Sequence, residues 1–189
     1  RQRQMCIRDS VGSEEWCSLP GLGLPAIKAR VDSGAATSSL HAFNIVPFQR
    51  DGELWISFEV HPLQNDRSVV VRHEAPVLEQ RSVRNTSGIS ENRYVIREEL
   101  VLGEQRWPIE LTLTNRDAMG YRMLLGREAM VGRVLVDPEG SHQLGDVEPA
   151  QLEEMYAALR TERTGLRIAL LASDPELYSD RRLLEAGEE

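Results

Sequence analysis

Cysteine, lysine and aromatic side chains are all scarce in this chain of 189 residues. Its two cysteines, Cys6 and Cys17, can form neither a disulfide framework nor a four-thiolate metal site. Lysine occurs once, as Lys28, so 21 of the 22 basic residues are arginine. No apolar run approaches the ~18 residues of a membrane-spanning helix, and no membrane partner is expected. The opening decamer RQRQMCIRDS has no apolar core of the kind a signal peptide needs, so a reducing, cytoplasmic setting is the expectation. The formal net charge of -8 argues against a broad nucleic-acid surface.

That charge is unevenly placed. Residues 146–189 hold 11 acidic and 5 basic residues, whereas residues 1–145 hold 19 and 17. The acidity therefore belongs to the C-terminal part, and the body is nearly balanced. Residues 1–10 differ in character from the rest of the chain: MCIRDS reads like a translated sequencing adaptor, and this segment is set apart as non-native.

The pattern across 11–145 is all-β. Short β-rich runs alternate with turn signals, and none holds a helical period. EEWCSL (14–19), AIKARV (26–31), a run from Leu40 to Phe48 and ELWISFEV (53–60) read as strands, with Asp51-Gly52 as a hairpin turn. A charged strand-like stretch, 68–83, comes next. YVIREELVL (94–102) and RWPIELTLT (106–114) flank Gly103-Glu104 as a second hairpin, and MLLG (123–126) and RVLVDP (133–138) read as short buried strands around a helical turn, REAM. In 146–164, Leu152, Met155, Tyr156 and Leu159 recur at helical spacing and predict an amphipathic linker helix. Residues 165–189 read as a buried strand, LRIALLASD, then a helix opened by Pro175. A lone strand and helix cannot bury their faces, so these residues are expected to open a second, truncated α/β domain.

Two motifs carry chemistry. VDSGAATSSL (31–40) places Asp32 at the end of an apolar strand, before Ser33, Gly34 and further small residues. Such a loop presents a carboxylate, with Ser33 able to bond the loop backbone and Gly34 permitting close approach of another loop. Alone, Asp-Ser-Gly is a common turn. The second motif, Met123-Leu124-Leu125-Gly126-Arg127, is an apolar strand ending in Gly-Arg. The pair resembles the retropepsin-like aspartic proteases, and the wider pattern (VDSGAATSSLHAF, YVIREELVLG, WPIELTLTNRDAMGYRMLLGR and LVDP) resembles the RimB-like family often called ATP-dependent zinc proteases. The tail LRIALLASDPELYSDRRLLEAGE resembles the N-terminus of RimK-type ATP-grasp ligases.

The resemblance implies a mainly β, retropepsin-like closed barrel over 11–145, with Asp32, Ser33 and Gly34 as the catalytic loop. Thr37, Leu125, Gly126 and Arg127 would support it. Since the chain carries one Asp-Ser-Gly, a two-carboxylate site requires a homodimer. It also implies hydrolysis of peptide bonds in glutamate-rich tails of a modified ribosomal protein, with a RimK-type ligase as partner in cis or trans. The sequence departs from the family at Ser33, where threonine is usual, and at Ala36, where arginine is usual. Arg127 is thereby expected to lack the acidic partner that viral retropepsins give it.

Arg67, Arg72, Arg81, Arg84, Arg93 and Arg97 fall in or beside the charged insert between Asn65 and Arg97. They are candidates for holding an acidic peptide through charge-assisted forks, the alternative being a solvated strand face laced with Asp66, Glu74 and Glu79. No histidine falls in an HExxH pattern, so no metal ligand is assigned and zinc is not expected. His41 reads as structural or pocket-lining. Without a GxxxxGKS or GxGxxG loop, ATP and magnesium would enter only through the missing ligase region. Two other readings stand beside the peptidase: a non-catalytic module presenting acidic tails to a fused ligase, and a zinc-dependent hydrolase.

Overall fold

A computed structural model describes residues 8–64, 66–84, 88, 90–115 and 120–159. The rest of the expected adaptor segment and the strand and helix expected over 165–189 lie outside the described residues. The described part is mainly β, as its alternating pattern predicts.

The chain enters through β1 (Asp9–Val11), β2 (Glu14–Leu19) and β3 (Leu24–Asp32), with a 3-10 turn at Pro20–Leu22 between the last two. In β2, Glu15, Cys17 and Leu19 point inward, a period of two. The stretch expected as one strand from Leu40 to Phe48 is two, β4 (Ser38–His41) and β5 (Phe43–Arg50). The chain changes sheets at the buried Ala42, whose amide donates to Thr114 O at 3.0 Å. β6 (Glu53–Val60) comes after the hairpin at Asp51-Gly52, where φ is +52° and +83°. Both positive angles fit a type I′ turn, which aspartate and glycine tolerate. The charged stretch 68–83 divides at Val77 and Leu78 into β7 (Val71–Pro76) and β8 (Glu79–Arg84), again in different sheets.

β9 (Ser90–Leu102), β10 (Gln105–Thr114) and β11 (Met123–Gly126) complete the main sheet. Its seven strands run β10-β4-β11-β3-β2-β9-β8, and β9 also pairs with β10. β5, β6 and β7 form a separate three-stranded sheet. After β11 come α1 (Arg127–Met130), then β12 (Val134–Val136), which pairs in parallel with β1. Asp9 and Ser10 take part in that pairing. β12 is less buried than its apolar sequence suggests: Val134 faces inward, but Leu135 and Val136 are exposed.

One hydrophobic cluster runs through both sheets, including Ile27, Leu40, Phe58, Ile96, Leu111 and Leu125. Each such side chain stabilises the fold by roughly 1.5–3 kcal/mol when fully buried. Trp107 is the one tryptophan in this core, and its indole N–H donates to Ala129 O at 2.8 Å, tying α1 to β10.

The exit from the β-region is held equally firmly. Glu15 is fully buried, and its carboxylate accepts the amides of Gly12 (2.7 Å), Gln143 (2.8 Å) and Leu144 (3.3 Å). Those charge-assisted bonds answer its desolvation. The helix predicted after 146 appears as α2 (Pro149–Tyr156), with a 3-10 turn at Ala157–Leu159 beyond it. Its apolar face is narrower than its periodicity suggests: Tyr156 is fully buried and Leu152 packs on the core, while Met155 and Leu159 stay exposed. No helix among the described residues is long and apolar enough to cross a membrane.

Candidate active site

β3 delivers Asp32. Ala29 and Val31 face the core, and the strand ends on Asp32, half-buried at the start of a loop of small residues. The carboxylate holds its own loop: Oδ1 accepts the amides of Gly34 at 2.9 Å and Ala35 at 3.1 Å. This is an Asx-type turn. Ser33, expected to bond the loop backbone, is exposed and its hydroxyl makes no hydrogen bond among the described residues. The aspartate's reach over two successive amides has taken that role.

β11 supports the loop from behind. It lies parallel to β3 in a register that sets Leu125 beside Val31 and Gly126 beside Asp32. The Gly126 amide donates to Ser38 Oγ at 3.0 Å, and the amides of Arg127 and Glu128 donate to Ala35 O and Ala36 O at 2.8 and 3.0 Å. Gly126 passes so near Thr37 that a β-carbon there would lie 2.5 Å from the Thr37 carbonyl. Arg127 does have a partner, although not the carboxylate of the viral enzymes: its Nη1 donates to Ser33 O at 3.0 Å. A main-chain oxygen therefore anchors the guanidinium to the Asp-Ser-Gly loop.

The loop opens on a cleft of about 1100 Å³. One wall is the β8–β9 hairpin, which contributes Arg81, Ser82, Val83, Arg84 and Arg93. Glu110 and Thr112 of β10 line another side, with Leu124 and Glu128 beside the loop. A smaller hollow of about 350 Å³ adjoins it, sharing Glu110 and Glu128 and bordered by Arg97.

The sequence of this β-region has known relatives. Residues 10–143 match the RimB-like family, described as the retropepsin-like aspartic endopeptidase RimB. The chain is a RimB-like protein. It is 89% identical over 179 residues to a probable alpha-L-glutamate ligase of Parasynechococcus marenigrum, and 56% identical over 179 residues to one of Shewanella pealeana. These alignments take in 95% of this chain but only 38% and 39% of those relatives, so the chain spans under two fifths of their length. A solved Legionella pneumophila protein of unknown function is similar in fold, with a TM-score of 0.61 and 27% identity over 73% of this chain and 99% of its own.

Within this RimB-like domain the motif residues converge. Asp32, Ser33, Gly34 and Thr37 meet Leu125, Gly126 and Arg127 through the β3–β11 register, the Arg127 bond to Ser33 and the Gly126 contact with Thr37. The six candidate arginines do not converge. Arg81, Arg84 and Arg93 line the Asp32 cleft. Arg97 borders the adjoining hollow, Arg72 lies on β7 with Nε 2.6 Å from Glu59, and Arg67 lies in the connection before β7. Arg67 and Arg72 fall outside the cleft because β7 belongs to the smaller sheet.

Among the residues of the site not singled out from the sequence are Ser38, Glu110, Thr112 and Glu128. Ser38 is buried and bonded to Gly126 N, and its carbonyl accepts from Thr112 Oγ1 at 3.0 Å. Its place as the middle hydroxyl of Thr37-Ser38-Ser39 was its available signal. Glu110 and Glu128 carry none, because β10 and α1 reach the cleft only through tertiary packing. His41 is buried on β4. Among the described residues, no three His, Cys, Asp or Glu side chains are grouped to hold a metal.

Proposed function

We propose that this chain carries an aspartic-type peptidase domain in which Asp32 from each of two copies forms the catalytic pair, and that it trims glutamate-rich tails. The placement of Asp32 carries the reading. It stands at a strand end, open to a cleft, with Oδ1 fixed by two amides and Oδ2 without a hydrogen-bond partner among the described residues.

Two such carboxylates brought together share one proton, because like charges at that range cannot both ionise. The ionised partner takes a proton from a bound water as its oxygen attacks the peptide carbonyl carbon. The protonated partner gives its proton to the carbonyl oxygen. Collapse of the tetrahedral intermediate breaks the C–N bond, with a proton delivered to the leaving amine. Gly126, Arg127 and Ser38 hold the loop during these steps, and Ser33 and Gly34 lie where a second copy's loop would approach.

The acidic substrate is supported by the arginines on the hairpin wall and by the relatives, named as probable glutamate ligases. The tail from 165 to 189 is read as the start of a RimK-type ATP-grasp ligase, which places the ligase in cis and a ribosomal protein tail as the shared substrate. ATP and magnesium belong to that ligase.

The test is cleavage of a peptide ending in several glutamates by the full chain, with products identified by mass spectrometry. The reading expects products from the parent and none from Asp32→Asn, with chelator present or absent. Binding without cleavage by the parent would favour a tail-presenting module. Loss with chelator but not with Asp32→Asn would favour a metal-dependent hydrolase.

A further inference from the structure

The three arginines of the cleft wall are not equivalent. Arg81 and Arg93 face each other across the β8–β9 ladder, a like-charge pair that needs neutralising. Arg81 donates from Nε to Glu79 Oε1 and from Nη2 to Glu110 Oε2, both at 2.6 Å, and Nη1 lies 4.0 Å from Glu128. Its bond to Glu110 is the foremost reason that its proton is held more tightly than usual. Arg93 is buried and donates to Glu91 Oε2 at 2.9 Å. Arg84, the last residue of β8, is exposed and has no carboxylate partner among the described residues.

We propose that Arg84 is the side chain that receives a substrate carboxylate in this cleft, and that Glu110 excludes Arg81 from that role by occupying it. The proposal rests on the reading of the cleft as a site for acidic peptide. A carboxylate arriving at Arg81 must displace one already in place, so exchange yields little net free energy. At Arg84 the same carboxylate replaces only water and gains a charge-assisted fork. Arg93 is closed to both by its burial. Glu110 has a second effect, since its Oε1 lies 3.9 Å from Arg97 at the mouth of the adjoining hollow. One carboxylate thus restrains one cation in each hollow, and removing its charge would leave Arg81 hydrogen-bonded to the Glu79 carboxylate alone and Arg97 without a carboxylate partner among the described residues.

The experiment is a fluorescence-anisotropy titration of dye-labelled hexaglutamate, with hexaglutamine as control, on the full chain carrying Asp32→Asn. Because it reads binding, a failure of the peptidase reading leaves it interpretable. Adding Arg84→Gln should weaken hexaglutamate binding by about tenfold and lessen its salt dependence, with hexaglutamine unaffected. Arg84→Lys should restore part of the affinity, since charge remains and the fork is lost. Glu110→Gln should tighten hexaglutamate binding, and Arg81→Gln should change it by less than about threefold. If Arg81→Gln does not fold, as judged by circular dichroism, Glu110→Gln decides. The proposal is overturned if Arg84→Gln binds like its parent, if Glu110→Gln leaves affinity unchanged or weakened, or if the folded parent binds no hexaglutamate.

Discussion

Gly126 touches the backbone of Thr37 so closely that hydrogen is the only substituent its Cα can carry: a β-carbon would stand 2.5 Å from the Thr37 carbonyl carbon and oxygen. The contact joins the two motifs separated by almost the whole β-region. Its φ of -84° is open to any residue, so the requirement is one of space rather than of backbone conformation.

Gly126→Ala should therefore force β11 and the Asp32 loop apart. We expect a loss of about 2 kcal/mol or more in denaturant unfolding, together with loss of activity. Gly34→Ala makes the informative contrast. A β-carbon there meets only Asp32 Oδ1, at 3.1 Å, so its unfolding midpoint should stay near the parent's while its activity falls. Equal destabilisation by both would contradict this packing.

Tyr156 supplies a second long-range tie. The β2–β3 register shifts between Cys17 and Leu19, leaving Ala26 out of the ladder. The Tyr156 hydroxyl fills the gap, donating to Ala26 O at 2.5 Å and accepting from Ala26 N at 3.4 Å. Burial holds its proton on up to about 12. Tyr156→Phe should lose about 1–2 kcal/mol by leaving two buried backbone groups unanswered. Tyr156→Ala, or a chain ended at residue 145, should lose about 3–5 kcal/mol through the vacated ring volume. Thermal unfolding monitored by circular dichroism checks the order.

Acid should loosen the exit segment. The Tyr121 hydroxyl, Lys28 and His142 hold Glu14 below the usual carboxylate range. The Trp16 indole does the same for Asp146, and the side-chain Nε2 of Gln143 for Asp137. Groups depressed on folding stabilise the fold fully above their unfolded pKa and lose that contribution as pH falls through the folded one. Stability should hold down to about pH 5 and decline below it. Glu14→Gln should reduce the steepness of that decline, which urea unfolding at stepped pH would show.

Much of the fold was legible in the sequence, for identifiable reasons. Asp51-Gly52, Gly103 and the alternation in β6 and β10 report local chemistry, and those elements appear where the pattern puts them. The convergence of Asp32 with Gly126-Arg127 was legible only through resemblance, since parallel pairing of strands so far apart leaves no local signal. The division of 40–48 was not legible, because no breaker marks Ala42, whereas Pro76, directly before the break in 68–83, is a local signal for that one. The sorting of the arginines was partly hidden. Arg81 and Arg93 meet Glu79 and Glu91 two residues away on their own strands, a same-face spacing the sequence shows, but the bond from Arg81 to Glu110 comes across from β10 and leaves no local signal.

Whether two copies of Asp32 make one active site can be decided by mixing subunits. Parent chain and Asp32→Asn chain are unfolded together, refolded at varied ratios and fixed total concentration, and assayed on the glutamate-tailed peptide. A shared site predicts activity following the square of the parent fraction, about a quarter at equal mixing. Activity proportional to the parent fraction, about half at equal mixing, would show that each chain acts alone and would contradict the shared site.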